Sequence, residues 1–151
     1  MPAQTTPLPG HARIWHRVQP GDFLDTYSVA TPLSARQALD LALRSPGWAR
    51  ALLQLRDRLV RPLGLKTAGG EGQTGFPVEF ESEQEVIVGM DDRHLDFRVT
   101  VLKTDGIVHI ATWVHRNNAL GQAYLALIMP FHRLILRSAI RRIAAAAQAP
   151  A

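Results

Sequence analysis

A chain of 151 residues, 46% apolar and 20% charged, has the size and make-up of one folded domain with a real core. It has no cysteine, which excludes disulfides, thiolate-held zinc, iron–sulfur clusters and a cysteine nucleophile. The formal charge of +4 rests on 17 basic residues, of which only Lys66 and Lys103 are lysines; so modest an excess argues against a nucleic-acid surface.

Met1–Gly10 carries three prolines and no apolar period, so residues 1–16 read as a flexible lead-in. No charged region followed by an apolar stretch marks a secretory signal. No apolar run approaches the roughly 20 residues that cross a bilayer, since Ala123–Phe131 stops at His132 and Arg133. A cytoplasmic location is the expectation by elimination.

Asp22–Val29 is rich in β-branched and aromatic residues between Gly21 and Pro32, and reads as the first strand. Ser34 is placed to cap a helix over 35–44, where Ala38, Leu41 and Ala42 recur at helical spacing. After Pro46–Gly47, the stripe of Trp48, Leu52, Leu55 and Leu59 predicts a second, amphipathic helix that ends at Pro62 and Gly64. Lys66–Gly75 holds four glycines and reads as a solvent loop. It is no phosphate-binding loop, because Leu65 stands where that motif needs a glycine directly before the lysine.

Four strands follow at hairpin spacing: Phe76–Ser82, Glu85–Met90, Leu95–Lys103 and Ile107–Arg116, with Thr104-Asp105-Gly106 as a tight turn. Short links imply an antiparallel meander. Asn117 or Asn118 can cap a last helix running to about Ala145, bent at Pro130. Its expected inward face is Leu120, Tyr124, Leu127, Ile128, Phe131, Leu134 and Ile135. At 1.5 Å per residue the helix spans about 40 Å and should overhang the sheet. The fold class is therefore α+β: an antiparallel sheet of about five or more strands wrapped around a long kinked C-terminal helix, with two short helices after the first strand. The domain is expected over 17–145, with a disordered tail at 146–151.

The segments Asp22-Phe23-Leu24-Asp25, Arg61-Pro62-Leu63-Gly64-Leu65-Lys66, Asp91 through Arg98 and Tyr124 through His132 resemble a bacterial family catalogued as domain of unknown function 2867. The resemblance covers about Arg17 to Arg142. It implies a helix-grip fold, akin to START domains and birch-allergen-like proteins, which commonly enclose an apolar cavity between sheet and helix. Some members are fused to nicotinamide-dependent reductase or epimerase-like domains. The resemblance brings no catalytic motif and no cofactor.

Candidate site residues follow from the alternation. Phe97 and Val99 line the apolar face of their strand, and with Trp113, Tyr124 and Phe131 they form the expected ligand-binding set. Polar candidates are His94, Asp96 and Arg98, on the opposite side of the same strand, where an Asp–Arg ladder on a solvent face is the simpler reading. His132, after the proline, and Tyr124 could together hydrogen-bond a ligand from a cavity, while packing for Tyr124 and a solvated helix end for His132 is the alternative, the simpler one for His132. Asp25 is informative because an inward carboxylate is costly unless paired. The spacing of the histidines, His109 and His115 included, fits no metal site. The basic flank Arg133, Arg137, Arg141 and Arg142 reads as a solvated face.

The function this supports is an uncharacterised binding module for a small apolar or amphipathic molecule. The alternatives are an accessory domain beside a short-chain reductase-like partner, or in a homodimer, and an enzyme using acid–base residues at the cavity. Apolar Ile140 and Ile143 near the helix end motivate the accessory reading. No GxSxG elbow or HExxH is present, so the reading leans away from an enzyme.

Overall fold

The computed structural model describes residues 4–5, 7–43, 77–91 and 94–148. The expected helix at 48–61, the loop at 66–75 and the last residues of the tail, 149–151, lie outside the described residues. Within them the fold is α+β, with six antiparallel strands in one sheet: β1 (Gln4–Thr5), β2 (Phe23–Ala30), β3 (Val78–Glu81), β4 (Glu85–Asp91), β5 (Leu95–Thr104) and β6 (Ile107–Arg116), in the order β1-β2-β6-β5-β4-β3. Helix α1 (Ala35–Ala42) follows β2, and α2 (Ala119–Gln148) closes the chain. A short 3-10 turn covers Arg13–His16.

Local chemistry explains the boundaries. Ser34 caps α1 by accepting the Gln37 N–H at 3.1 Å, while the Gln37 side chain accepts the Ser34 N–H at 2.9 Å. Asp105 and Gly106, both at positive φ, make the tight β5–β6 turn. Asn118 caps α2, its Oδ1 accepting the Gly121 N–H at 3.0 Å. Gly121 is required for a steric reason: a Cβ there would sit 2.0 Å from the His94 carbonyl oxygen. The first turn of α2 therefore lies directly on the chain entering β5.

One face of the sheet packs against the helices. Tyr27, Val29, Val86, Val88, Val101, Val108 and Ile110 form its core with Ala35, Ala38 and Leu39 of α1 and Ile140 and Ile143 of α2. This alternate set is the one the strand periodicity singles out, and it is buried because both helices lie over it. The opposite, outer face is covered too. Leu8, Ala12 and Ile14 pack there against Ile87, Leu102, Ala111 and Trp113. Residues 7–16, expected to be a loose lead-in, are in fact a structural layer. A second apolar row on β4–β6 needed a cover, and the proline-rich segment supplies it without any helical or strand period.

Helix α2 differs from expectation in three ways. Its far end does not overhang: Ile140 and Ile143 are fully buried, and Arg142 donates to the Leu41 and Ala42 carbonyls at the C-terminal end of α1, both at 3.1 Å. It continues to Gln148, past the expected tail boundary. Its inward face is also rotated, because Leu127 (69% exposed), Phe131 (41%) and Leu134 (51%) face outward, while Leu125, Ala139, Ile140 and Ile143 point in. The sequence shows apolar residues around most of the first four turns, so periodicity alone left the rotation open. Arg133, Arg137 and Arg141 are exposed, as a solvated flank should be, and Arg142 is the exception that docks on α1. The segment Ala119–Ala146 is long and apolar enough to cross a membrane by length and composition, which the sequence reading missed by stopping at His132 and Arg133.

Candidate functional site

Strand parity puts Phe23, Asp25, Tyr27 and Val29 of β2 on the helix-facing side and Asp22, Leu24 and Thr26 on the other. Asp25 thus points under α2. Its cross-strand neighbour on β6 is Thr112, which in turn faces Val99 on β5. His132 descends from α2 onto this position, with Nε2 3.2 Å from Asp25 Oδ2. The Phe23 ring meets the imidazole edge-on, 6.3 Å between centroids.

The contact satisfies only half of the carboxylate. Asp25 Oδ1 and Thr112 Oγ1 are both buried, and neither has a hydrogen-bond partner among the described residues. Buried polar atoms are nearly always paired, and each exception calls for an explanation. Here two exceptions are cross-strand neighbours on one face. The side chains of Asp25 and His132 keep 19% and 18% of their surface exposed, while Asp25 Oδ1 and Thr112 Oγ1 themselves are covered.

The surroundings are apolar. Leu95, Val114 and Leu125 are buried, and Phe23, Phe97, Tyr124, Ile128 and Met129 pack around them only partly buried. The site therefore has a polar end at Asp25, Thr112 and His132 and an apolar flank between the β2, β5 and β6 ends and the first half of α2.

On the outer face Asp22, Glu79, Glu85 and Arg98 are satisfied, while the buried His109 Nδ1 has no partner among the described residues. Asp22 accepts the Trp113 Nε1–H at 2.8 Å and the Gln19 N–H at 2.9 Å, and lies 2.6 Å from His115 Nδ1. Burial alone would raise its pKa. The bonds from His115, Gln19 and Trp113 outweigh that and hold it below its ordinary 3.8. Glu79, also raised by burial, ends below 4.5 because Arg17 and Arg98 both bind it. Arg98 further donates to the Phe97 carbonyl at 2.7 Å and pairs with Asp91 at 2.9 Å. Glu85 takes the Thr100 hydroxyl at 2.5 Å and the Arg13 N–H at 2.8 Å. A groove of about 370 Å³, lined by Arg13, Ile14, His16, Arg17, Glu79, Phe80 and Ile87, opens on this side.

Residues 18–139 match a family model whose description is Protein of unknown function (DUF2867). The chain belongs to this family. Comparison with curated proteins and with solved structures returned no significant match. What can be said of the site in this DUF2867 chain therefore rests on its own geometry.

The expected ligand-binding set does not converge. Phe97, Val99 and Tyr124 lie on the helix-facing side. Trp113 is buried on the outer face, as its odd position beside Ala111 and His109 dictates, and Phe131 points away from the sheet with the rotated face of α2. Among the polar candidates, Asp25 and His132 meet. Tyr124 packs in the apolar flank, and His132, expected at a solvated end, instead contacts Asp25.

The charged run took neither form considered for it. Arg98 is buried on the outer face between Glu79 and Asp91, not in a ladder open to solvent and not in a cavity. His94 and Asp96 anchor the start of α2: Asn118 Nδ2 lies 3.0 Å from His94 Nδ1, Asn117 Nδ2 donates to Asp96 at 3.3 Å, and Asn117 N–H donates to the His94 carbonyl. That position gives them a structural role. Thr112 was the residue missed. The signal was visible, since a hydroxyl stands in a row otherwise made of Val108, Ile110 and Val114.

Proposed function

We propose that the chain is a binding module for one small amphipathic molecule, held between the first half of α2 and the adjoining ends of β2, β5 and β6. One observation carries this reading: Asp25 Oδ1 and Thr112 Oγ1, on cross-strand partners, are buried and unpaired among the described residues, beside a half-buried apolar cluster. An orphaned buried polar group costs about 1–3 kcal/mol, so a ligand that completes both atoms gains free energy the apo protein lacks. The half-buried faces of Phe23, Phe97, Tyr124, Ile128 and Met129 offer cover for an apolar body. The order of elements, with an antiparallel sheet under a long C-terminal helix, is also that of the helix-grip proteins, and supports the reading by analogy.

Native mass spectrometry of the purified chain tests it. With medium-chain amphiphiles added, we expect one molecule bound per chain. His132→Trp, which puts an indole over Asp25, should abolish that adduct while circular dichroism shows the fold retained. Unchanged binding in a folded His132→Trp protein would contradict the proposal.

A further inference from the structure

Resting on that reading, we infer that the head group bound at Asp25 and Thr112 is an uncharged hydroxyl, so the ligand class is a medium-chain or ring alcohol. The two orphaned atoms set the requirement. A carboxylate oxygen can only accept, so the head must donate to Asp25 Oδ1. Thr112 Oγ1 carries a proton with no acceptor among the described residues, so the head must also accept. A hydroxyl does both with one oxygen. It donates to Asp25 Oδ1 and accepts from the Thr112 hydroxyl, so both orphaned atoms are paired.

Three other common head groups each fail on one count. A carboxylate would bring a second negative charge against Asp25 and leave its Oδ1 without a donor. An ammonium has donors only, so the Thr112 proton stays without an acceptor. An ether accepts from Thr112 but leaves Asp25 unsatisfied. A water molecule meets the same two needs, and an alcohol replaces it bond for bond while adding apolar contact to Phe23, Phe97 and Ile128. His132 completes the arrangement from above. Its Nε2 lies against Asp25 Oδ2, so the carboxylate plane is fixed and Oδ1 is left for the ligand.

The test is calorimetric titration of the full chain with four probes of one chain length: 1-octanol, octylamine, octanoate and octyl methyl ether. We expect octanol to bind at least about tenfold tighter than each of the others, the scale of one buried hydrogen bond gained or lost. Thr112→Val, which keeps the shape and removes the hydroxyl, should bring octanol down to the level of the ether, and Thr112→Ser should retain the preference. Octylamine or octanoate binding as tightly as octanol would overturn the hydroxyl assignment. So would a Thr112→Val protein that still prefers octanol. Equal, measurable binding of all four would overturn the head-group assignment and leave the site standing, whereas no binding of any probe would overturn the site itself.

Discussion

Asp22 and Asp25 stand three positions apart, each beside a histidine, and the protein treats them in opposite ways. Asp22 faces the outer side, where Trp113, Gln19 and His115 surround it and hold it ionised below its ordinary range. Asp25 faces the helices, where His132 satisfies one oxygen and nothing described satisfies the other. A carboxylate with both oxygens filled by the fold is a fastener. One with an oxygen left open beside an equally open threonine is prepared for something the chain does not itself supply.

That contrast can be broken by substitution, and the largest effect belongs to Asp22. Asp22→Ala strands the buried Trp113 N–H and the bond to His115, and should cost about 2–3 kcal/mol in urea unfolding. Asp25→Asn should change stability by less than about 1 kcal/mol, because the carboxylate it replaces is only half satisfied. Equal losses at the two positions would erase the distinction between fastener and site.

Acid sharpens the same contrast. Because the Asp22 pKa is lowered in the fold, the unfolded chain binds its proton first. The stabilisation is therefore fully present above about pH 3.8 and is lost as pH falls through the lower, folded value. The stability–pH curve of Asp22→Asn should be flatter below pH 4 than that of the wild type. Among the described residues the outer face has an exception to its order, His109, whose Nδ1 has no partner there and whose pKa is pushed below 6.5 by burial and by nearby His11. Burial and His11 disfavour its charged form in the fold, so stability should also decline as pH drops below about 6.5, and His109→Gln should remove that limb. Urea midpoints measured across pH check both limbs.

The smallest effect is a gain. Thr112→Val removes a buried hydroxyl that has no described partner, and should stabilise the ligand-free protein by up to about 1 kcal/mol, read as a higher thermal midpoint. A loss of stability would mean that the hydroxyl is satisfied after all.

Much of this could be read before the structure. The β5 and β6 strands, the Asp105–Gly106 turn and the caps at Ser34 and Asn118 follow from alternation and turn chemistry, which act over a few residues. Asp25 was also marked, since an inward carboxylate demands a partner, and His132 for its place after Pro130, but not their contact. What could not be read depends on long-range packing. Residues 7–16 cover the outer face only because Ile87, Leu102 and Trp113 gather there from three strands. The rotation of α2 is set by Gly121 seating on His94 and by Ile140 and Ile143 entering the core, not by the count of apolar residues along it. That rotation is what sent Phe131 outward and brought His132 over Asp25.

The most direct measurement is an amide and side-chain chemical-shift map of the full chain titrated with 1-octanol. The account predicts perturbations at Phe23, Asp25, Thr112 and His132, and none at Asp22, Trp113 or His115 on the outer face. Shifts confined instead to the outer groove around Arg13, Arg17 and Phe80, with Asp25 and Thr112 silent, would contradict it.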